Sequence, residues 1–371
     1  MRLEYFNPVK ILFENLNSKK MSDISGKGKR RLIFCYGGFK ETPELSAFTK
    51  DSKNDYIYGE IEKNPSLDSI DRALKFAREI KPEVIIAIGG GSVIDTAKVV
   101  RFGCHSDIFD SSELIALSKN SDLSTVKKPV FIAIPTTHGT GSELTMWATV
   151  WDKKNKKKHS ISNKDNYPDF AVYDFGLFYS IPLEVSISST LDALSHSFEA
   201  IWNINSNPVS DRFAYESIRL IAENIGKLSR ITPKAVRKEL VLSSMYAGLA
   251  FSNTKTAAAH SISYPLTLEY GIPHGIACSM PLFPLLKING SKIKDKLYEL
   301  FKCTNLNTPE ELEERIKRSI ANRVNFSLRD YGVKEKDLIN LAEKSFTKER
   351  MANNIVELTN KDVFEILKSI Y

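Results

Sequence analysis

Asp192 and His196 stand one helical turn apart in the apolar stretch LDALSHSFEA (191–200), and two further histidines follow, His260 in AAAHSISYP and His274 in GIPHGIA. Side chains four residues apart share one helix face. A carboxylate beside an imidazole can be an ion pair, a chance surface pairing or part of a metal site, and a lone histidine is commonly structural. Together, one Asp and three His make a sensible donor set for a divalent cation, Fe2+ or Zn2+. No thiolate is expected among the donors. Cys35, Cys104, Cys278 and Cys303 are scattered, without CxxC spacing, and read as reduced core thiols of a cytosolic protein.

A second chemistry is phosphate binding. The segment IGGGSVIDTAK puts Gly89, Gly90, Gly91 and Ser92 between an apolar strand and a helix. Glycines let a phosphate approach the backbone, and the first N–H groups of the helix carry partial positive charge. The spacing is not GxGxxG, and glycine turns also serve geometry alone. A second loop, PTTHGTGSE (135–143), follows another apolar strand and offers the hydroxyls of Thr136, Thr137, Thr140 and Ser142. Two such loops at the carboxyl ends of strands point to a dinucleotide.

Those loops need a sheet to present them. RLIFCY (31–36), EVIIAIGGGS (83–92), PVFIAIPTT (129–137) and DFAVYD (169–174) are strand candidates, while LDSIDRALKFAREI (67–80) and VIDTAKVVRFG (93–103) have helical spacing. Near-continuous apolar strands alternating with helices predict a parallel α/β sheet. After Pro182 almost only helix-period segments follow, beginning with 184–203, 207–229, 233–252 and 255–266. The 371 residues suffice for two cores. The expected division is an α/β nucleotide-binding domain over 1–180 and an all-helical metal and substrate domain over 181–371.

The net charge is +7, and the lysine-rich runs KGKRR (27–31) and KKNKKK (153–158) read as solvated loops. A basic surface also favours anionic small molecules. No nucleic-acid recognition motif accompanies the charge. No segment reaches the roughly 18 apolar residues of a membrane span, and the amino terminus lacks a secretory apolar core. A cytoplasmic protein acting on small molecules is expected, with neither nucleic acid nor membrane as partner.

The motifs GGGSVIDTAK, PTTHGTGSE, DALSHSFEA and HSISYPLTLEYGIPHG occur here in the order expected of iron-dependent alcohol dehydrogenases, and YFNPVKILF near the start and ERMANNIVELTNKDVFEIL near the end look like that family too. The chain resembles the family over nearly its whole length. The resemblance implies the two-domain plan shared with dehydroquinate synthase, with the active site in the cleft. It implies Asp192, His196, His260 and His274 as metal ligands and catalytic centre. It places Gly89, Gly90, Gly91, Ser92, Asp95, Thr136, Thr137, Thr140 and Ser142 at the cofactor. The implied reaction is metal-assisted, nicotinamide-linked interconversion of an aldehyde and a primary alcohol, in a homodimer.

The first strand ends in Tyr36, Gly37 and Gly38, without the carboxylate that NAD-preferring members tend to place there for the ribose hydroxyl. This is similar to NADPH-using aldehyde reductases of the family, and Lys40 could pair with a 2′-phosphate, so NADPH is expected over NADH. Tyr264 stands where many members carry a second histidine after the third ligand. That departure, with WATVWD (147–152) and its Trp147, IWNINSNPVSD (201–211) and FSNTKTAAAHSISYPL, looks like the phosphonoacetaldehyde reductase branch. Asn253 and Lys255, flanked by Thr254 and Thr256, lie about one helical turn before His260 and could hold a phosphonate. His138 and His159 are further anion-facing candidates. The competing expectations are a general short-chain aldehyde reductase, a dehydroquinate synthase-like lyase, and a non-enzymatic metal- or nucleotide-binding protein.

Overall fold

The computed structural model describes residues 4–26, 28–49, 53–105, 110–118, 128–155 and 157–371. Lys27 and Lys156, members of the two basic runs, lie outside the described residues. The chain divides into two compact units, one of Pro8–Thr137 and Ser142–Phe178, the other of Met1–Asn7, His138–Gly141 and Tyr179–Tyr371.

In the first unit the strands are β1 (Lys10–Leu12), β2 (Arg31–Cys35), β3 (Asp55–Tyr58), β4 (Val84–Gly89), β5 (Val130–Pro135), β6 (Trp147–Asp152), β7 (Lys157–Ser162) and β8 (Phe170–Val172). Six of them form one sheet in the order β1-β8-β5-β4-β2-β3, with every pair parallel. The apolar runs of β2, β4 and β5 explain their central place, because a parallel strand is covered on both faces. Leu32, Phe34, Ile85, Ala87, Phe131 and Ala133 pack on one face with side chains of the Leu67–Ile80 and Gly91–Gly103 helices. Ile33, Cys35, Ile86, Ile88, Ile132 and Ile134 pack on the other with Leu16, Met21 and Leu45.

Arg31 departs from the solvated-loop reading of KGKRR. It is buried, stacks on Phe48, pairs with Asp55 and donates to Ser25. A guanidinium starting a central strand needs partners, and neighbouring β3 supplies the carboxylate. The segment 147–152, which carries Trp147, is β6 of an antiparallel hairpin with β7.

The second unit is helical. Its long helices are Leu183–Ile201, Pro208–Asn224, Lys234–Thr254 and Ala258–Tyr270, followed by the short His274–Ser279. The Pro208–Asn224 helix opens with Pro208 behind an Asn207–Ser210 capping box, which fixes its start. The segment expected as a helix from 255 begins only at Ala258, because Lys255 ends the preceding helix with φ 71° and ψ 173°. The N-terminal residues belong to this helical unit. Tyr5 donates its hydroxyl to the Leu249 carbonyl at 3.1 Å, and the Asn253 side chain pairs with both backbone groups of Phe6. Among the described residues no helix is long and apolar enough to cross a membrane.

Candidate active site

Asp192 and His196 lie on the buried face of the Leu183–Ile201 helix, His260 on Ala258–Tyr270 and His274 at the start of His274–Ser279. The close approach of the last helix depends on Gly275. A Cβ there would lie 1.8 Å from the Ser188 carbonyl oxygen, so any larger residue would push His274 away from Asp192.

The side chains converge. Asp192 Oδ1 is 3.5 Å from His260 Nε2, 4.0 Å from His274 Nε2 and 4.0 Å from His196 Nδ1. Asp192, His196 and His260 are buried, while the His274 side chain retains 39 % exposure and marks the accessible edge. Asp192 Oδ1, His196 Nδ1 and His260 Nε2 have no hydrogen-bond partner. Interiors rarely leave polar atoms unpaired. Unpaired donor atoms gathered around Asp192 suit a divalent cation, and the carboxylate–imidazole chemistry suits Fe2+ or Zn2+.

Electrostatics agree with that geometry. Burial alone would raise the Asp192 carboxyl, but the neighbouring imidazoles outweigh it and hold its pKa well below the usual carboxylate range. Burial pushes His196 down to about 4 against the pull of Asp192. Burial also opposes a charged His260, yet Cys278, Glu199 and Asp192 hold its pKa well above the ordinary value.

Two residues escaped the sequence reading. Glu199 is fully buried, accepts from the His260 backbone N–H at 3.1 Å and lies 2.6 Å from His260 Nδ1. A carboxylate on Nδ1 orients the ring and leaves Nε2 aimed at Asp192, the arrangement that supports a metal-bound histidine. Its position seven residues after Asp192 on the same helix was the available signal. The other is Cys278, one turn after His274. One donor atom each from Asp192, His260, His274 and Cys278 lies within 4.8 Å of all the others. His196 is not part of that mutually close group. It stacks between Phe251 and His260, with ring centroids at 4.0 and 4.4 Å. Burial raises the Cys278 thiol, but His260 and His274 outweigh it and bring it to about 7.

The substrate candidates separate. Tyr264 lies parallel to the His274 ring at 6.2 Å, with the Arg350 guanidinium 4.8 Å over the Tyr264 ring. Lys255 is exposed and keeps its positive φ, while its carbonyl accepts from the Asn203 side chain at 3.1 Å. The Asn253 side-chain amide is engaged by Phe6 and Ser252. Trp147 begins β6, and its carbonyl accepts from Lys98. His138 is corrected: it is buried between Ser186, 2.9 Å from Nε2, and Thr190, 3.4 Å from Nδ1. His159 lies 4.0 Å from Asp152.

The cofactor candidates separate likewise. Tyr36, Gly37 and Gly38 follow β2, Gly89 ends β4 and Gly90–Ser92 follow it, and Thr136 and Thr137 follow β5, so neighbouring parallel strands present them at one sheet edge. Gly90 caps the Gly91–Gly103 helix, and a Cβ there would meet Thr137 Oγ1 at 3.0 Å. The free N–H groups at this helix start suit a pyrophosphate. Ser92 donates its hydroxyl to the Lys63 carbonyl. Thr140 falls in the short 138–141 segment grouped with the helical unit. Asp95 and Ser142 already have partners within the α/β unit. Asp95 accepts from Ser142 Oγ at 2.6 Å and from the Thr149 N–H at 2.9 Å, and Lys98 Nζ donates to Ser142, Thr145 and the Trp147 carbonyl. They hold loop to helix.

The chain belongs to the iron-containing alcohol dehydrogenase family. The model "Iron-containing alcohol dehydrogenase" matches residues 8–175, and "Fe-containing alcohol dehydrogenase family, C-terminal" matches 186–371. It is 30% identical over 325 residues to 4-hydroxybutyrate dehydrogenase of Clostridium kluyveri, covering 83% of this chain and 84% of that one. It is 33% identical over 225 residues to phosphonoacetaldehyde reductase of Streptomyces viridochromogenes, covering 60% and 57%. The solved sulfoacetaldehyde reductase of Bifidobacterium kashiwanohense, in complex with NAD+, matches the fold with TM-score 0.89 at 24% identity, covering 100% of this chain and 99% of that one. Membership makes the chain an NAD(P)-linked, divalent-metal oxidoreductase interconverting aldehydes and alcohols, and sets the lyase and non-enzymatic readings aside.

Proposed function

We propose that this enzyme reduces a small anionic aldehyde, phosphonoacetaldehyde above others, to its primary alcohol, 2-hydroxyethylphosphonate, with NADPH as the preferred hydride source. Aldehyde, NADPH and a proton give alcohol and NADP+. Asp192, His196, His260 and His274 would hold the cation. When bound, a divalent ion supplies Lewis acidity toward a carbonyl oxygen. Glu199 keeps His260 in register, and His274 forms the accessible rim where a substrate enters. The N–H groups opening the Gly91–Gly103 helix attract the dinucleotide phosphates. The absence of a carboxylate at Tyr36–Gly38 leaves room for a 2′-phosphate, with Lys40 nearby in sequence.

The observation that carries the anionic substrate is Lys255. A lysine with φ 71° and ψ 173° occupies a backbone region suited to glycine, and such strain costs about 1–3 kcal/mol and gathers at functional sites. A glycine would end this helix at lower cost, so the retained ammonium points to a role for its charge. The names of two relatives agree, since 4-hydroxybutyrate and phosphonoacetaldehyde both carry an anionic group. A homodimer in the cytoplasm belongs to the same reading.

The test is initial-rate kinetics with phosphonoacetaldehyde, sulfoacetaldehyde and propanal, each with NADPH and NADH. A specificity constant for phosphonoacetaldehyde about 100-fold above propanal, or ~2.7 kcal/mol, supports the proposal. Lys255→Ala should then raise KM for phosphonoacetaldehyde far more than for propanal. Equal constants for the two aldehydes would leave a general short-chain aldehyde reductase, and NADH preferred tenfold would overturn the cofactor preference.

A further inference from the structure

The carboxyl-terminal stretch ERMANNIVELT returns the chain to the candidate ligands and brings one arginine with it. Arg350 lies on the short Lys348–Met351 helix, which packs against the Ala258–Tyr270 helix that carries His260. Its guanidinium stands 4.8 Å over the Tyr264 ring, and that ring lies within 3° of parallel to the His274 ring at 6.2 Å. One tyrosine ring therefore links the cation to the imidazole on the accessible edge of the centre.

The backbone around Arg350 is fixed from both sides. Ser261, the residue after His260, donates its hydroxyl to the Ser345 carbonyl at 2.5 Å and accepts from the Thr347 N–H at 3.0 Å. Beyond the arginine, the Asn353 side chain donates to the Thr256 carbonyl at 2.8 Å, and the Ile204 N–H donates to the Asn353 carbonyl at 2.9 Å. A helix that carries a candidate ligand, and the segment just before it, set where this cation stands.

The cation has no carboxylate to balance it. Arg31, Arg101 and Arg219 each grip one. Among the described residues Arg350 pairs with none, and it is only half-buried. A ring face steadies a guanidinium plane without using its N–H donors. Those donors form a fork that matches the oxygens of a phosphonate, sulfonate or carboxylate.

We propose that Arg350 is a specificity-determining residue for anionic aldehydes, its guanidinium taking the acidic group of the substrate beside Tyr264 and His274. The contact is a charge-assisted hydrogen-bonded pair, with no covalent step. The inference rests on the reading that the substrate is a small anionic aldehyde, and adds a second cation to Lys255.

The experiment uses the full-length, metal-loaded enzyme. It compares kcat/KM for phosphonoacetaldehyde and propanal in the wild type, Arg350→Ala, Arg350→Lys and Arg329→Ala, the last removing a guanidinium that lies over Tyr371. Arg350→Ala should lower the constant for phosphonoacetaldehyde about 30-fold more than for propanal, the scale of a charge-assisted pair. Arg350→Lys should lose less, since the charge remains and only the fork is lost. Added guanidinium ion should restore part of the phosphonoacetaldehyde turnover of Arg350→Ala, a response that a merely structural role would not give. Equal losses for both aldehydes without rescue would make Arg350 a packing residue and overturn the inference. The same selective loss in Arg329→Ala would trace the effect to net charge and overturn it too. A wild-type preference for phosphonoacetaldehyde that survives in Arg350→Ala overturns this inference alone and leaves the acidic group to Lys255. A wild type that treats the two aldehydes alike removes both readings.

Discussion

Two buried polar clusters in this chain differ in one respect, whether their atoms have partners. Around Lys98, the ammonium reaches three oxygens and Asp95 accepts from Ser142 and Thr149. Around Asp192, three polar atoms on buried residues have none. An unpaired buried polar atom costs about 1–3 kcal/mol, so a cluster of them is unfavourable unless a ligand completes it. Satisfied clusters hold a fold together, and unsatisfied ones await something. The difference separates Asp95 and Ser142, which sequence motifs grouped with the cofactor, from Asp192 and His260.

The sharpest break of that distinction is Asp192→Ala. Removing the atom on which three imidazoles converge should abolish stoichiometric metal, read by elemental analysis, and lower kcat/KM at least ~1000-fold, about 4 kcal/mol. Retained metal and activity would make the unpaired atoms a feature of packing alone. Lys98→Met should act in the opposite way. Breaking a buried pair on one side costs about 3–5 kcal/mol of stability, seen as a lower denaturant midpoint, while the folded protein keeps its metal. Burial already brings the Lys98 ammonium down to about 8, a sign that its partners only partly replace water.

His138 sharpens the contrast on the satisfied side. Burial, then Arg237, pushes it from 6.5 to about 3. Between those values the unfolded chain binds a proton that the folded chain refuses. Stability therefore falls as pH drops from 6.5 toward 3, by up to ~1.4 kcal/mol per pH unit, and is unaffected by this group above that window. Chemical denaturation across that range should show a shallower slope in His138→Gln, and an unchanged slope would refute the buried neutral ring. The smallest effect belongs to Lys255→Gly. Relief of backbone strain should stabilise the fold by ~1 kcal/mol, raising Tm, while KM for an anionic aldehyde rises. A lower Tm would remove strain from the case for Lys255.

Much of the architecture was legible because period and polarity are local properties. Continuous apolar runs announced β2, β4 and β5 as central parallel strands, and the 67–80 helix lies at Leu67–Ile80 as its spacing predicts. The pattern misled where a long-range partner decided. Arg31 reads as part of a basic loop until Asp55 is placed beside it. Asn253 sits close to His260 in sequence, but its amide is taken by Phe6, 247 residues away.

The sequence by itself determined that Asp192 and His196 share a helix face, since the α-helical repeat settles that without any other part of the chain. It also determined that glycine turns follow buried strands, since apolar β-runs ending in glycine can do little else. Only the tertiary structure decided which donors meet. Glu199 against His260, Cys278 against His274, and Asp192 at the centre depend on three helices packing at distances that Gly275 permits. Donor type is encoded residue by residue, whereas the few ångströms that turn donors into a site arise from close packing between distant segments.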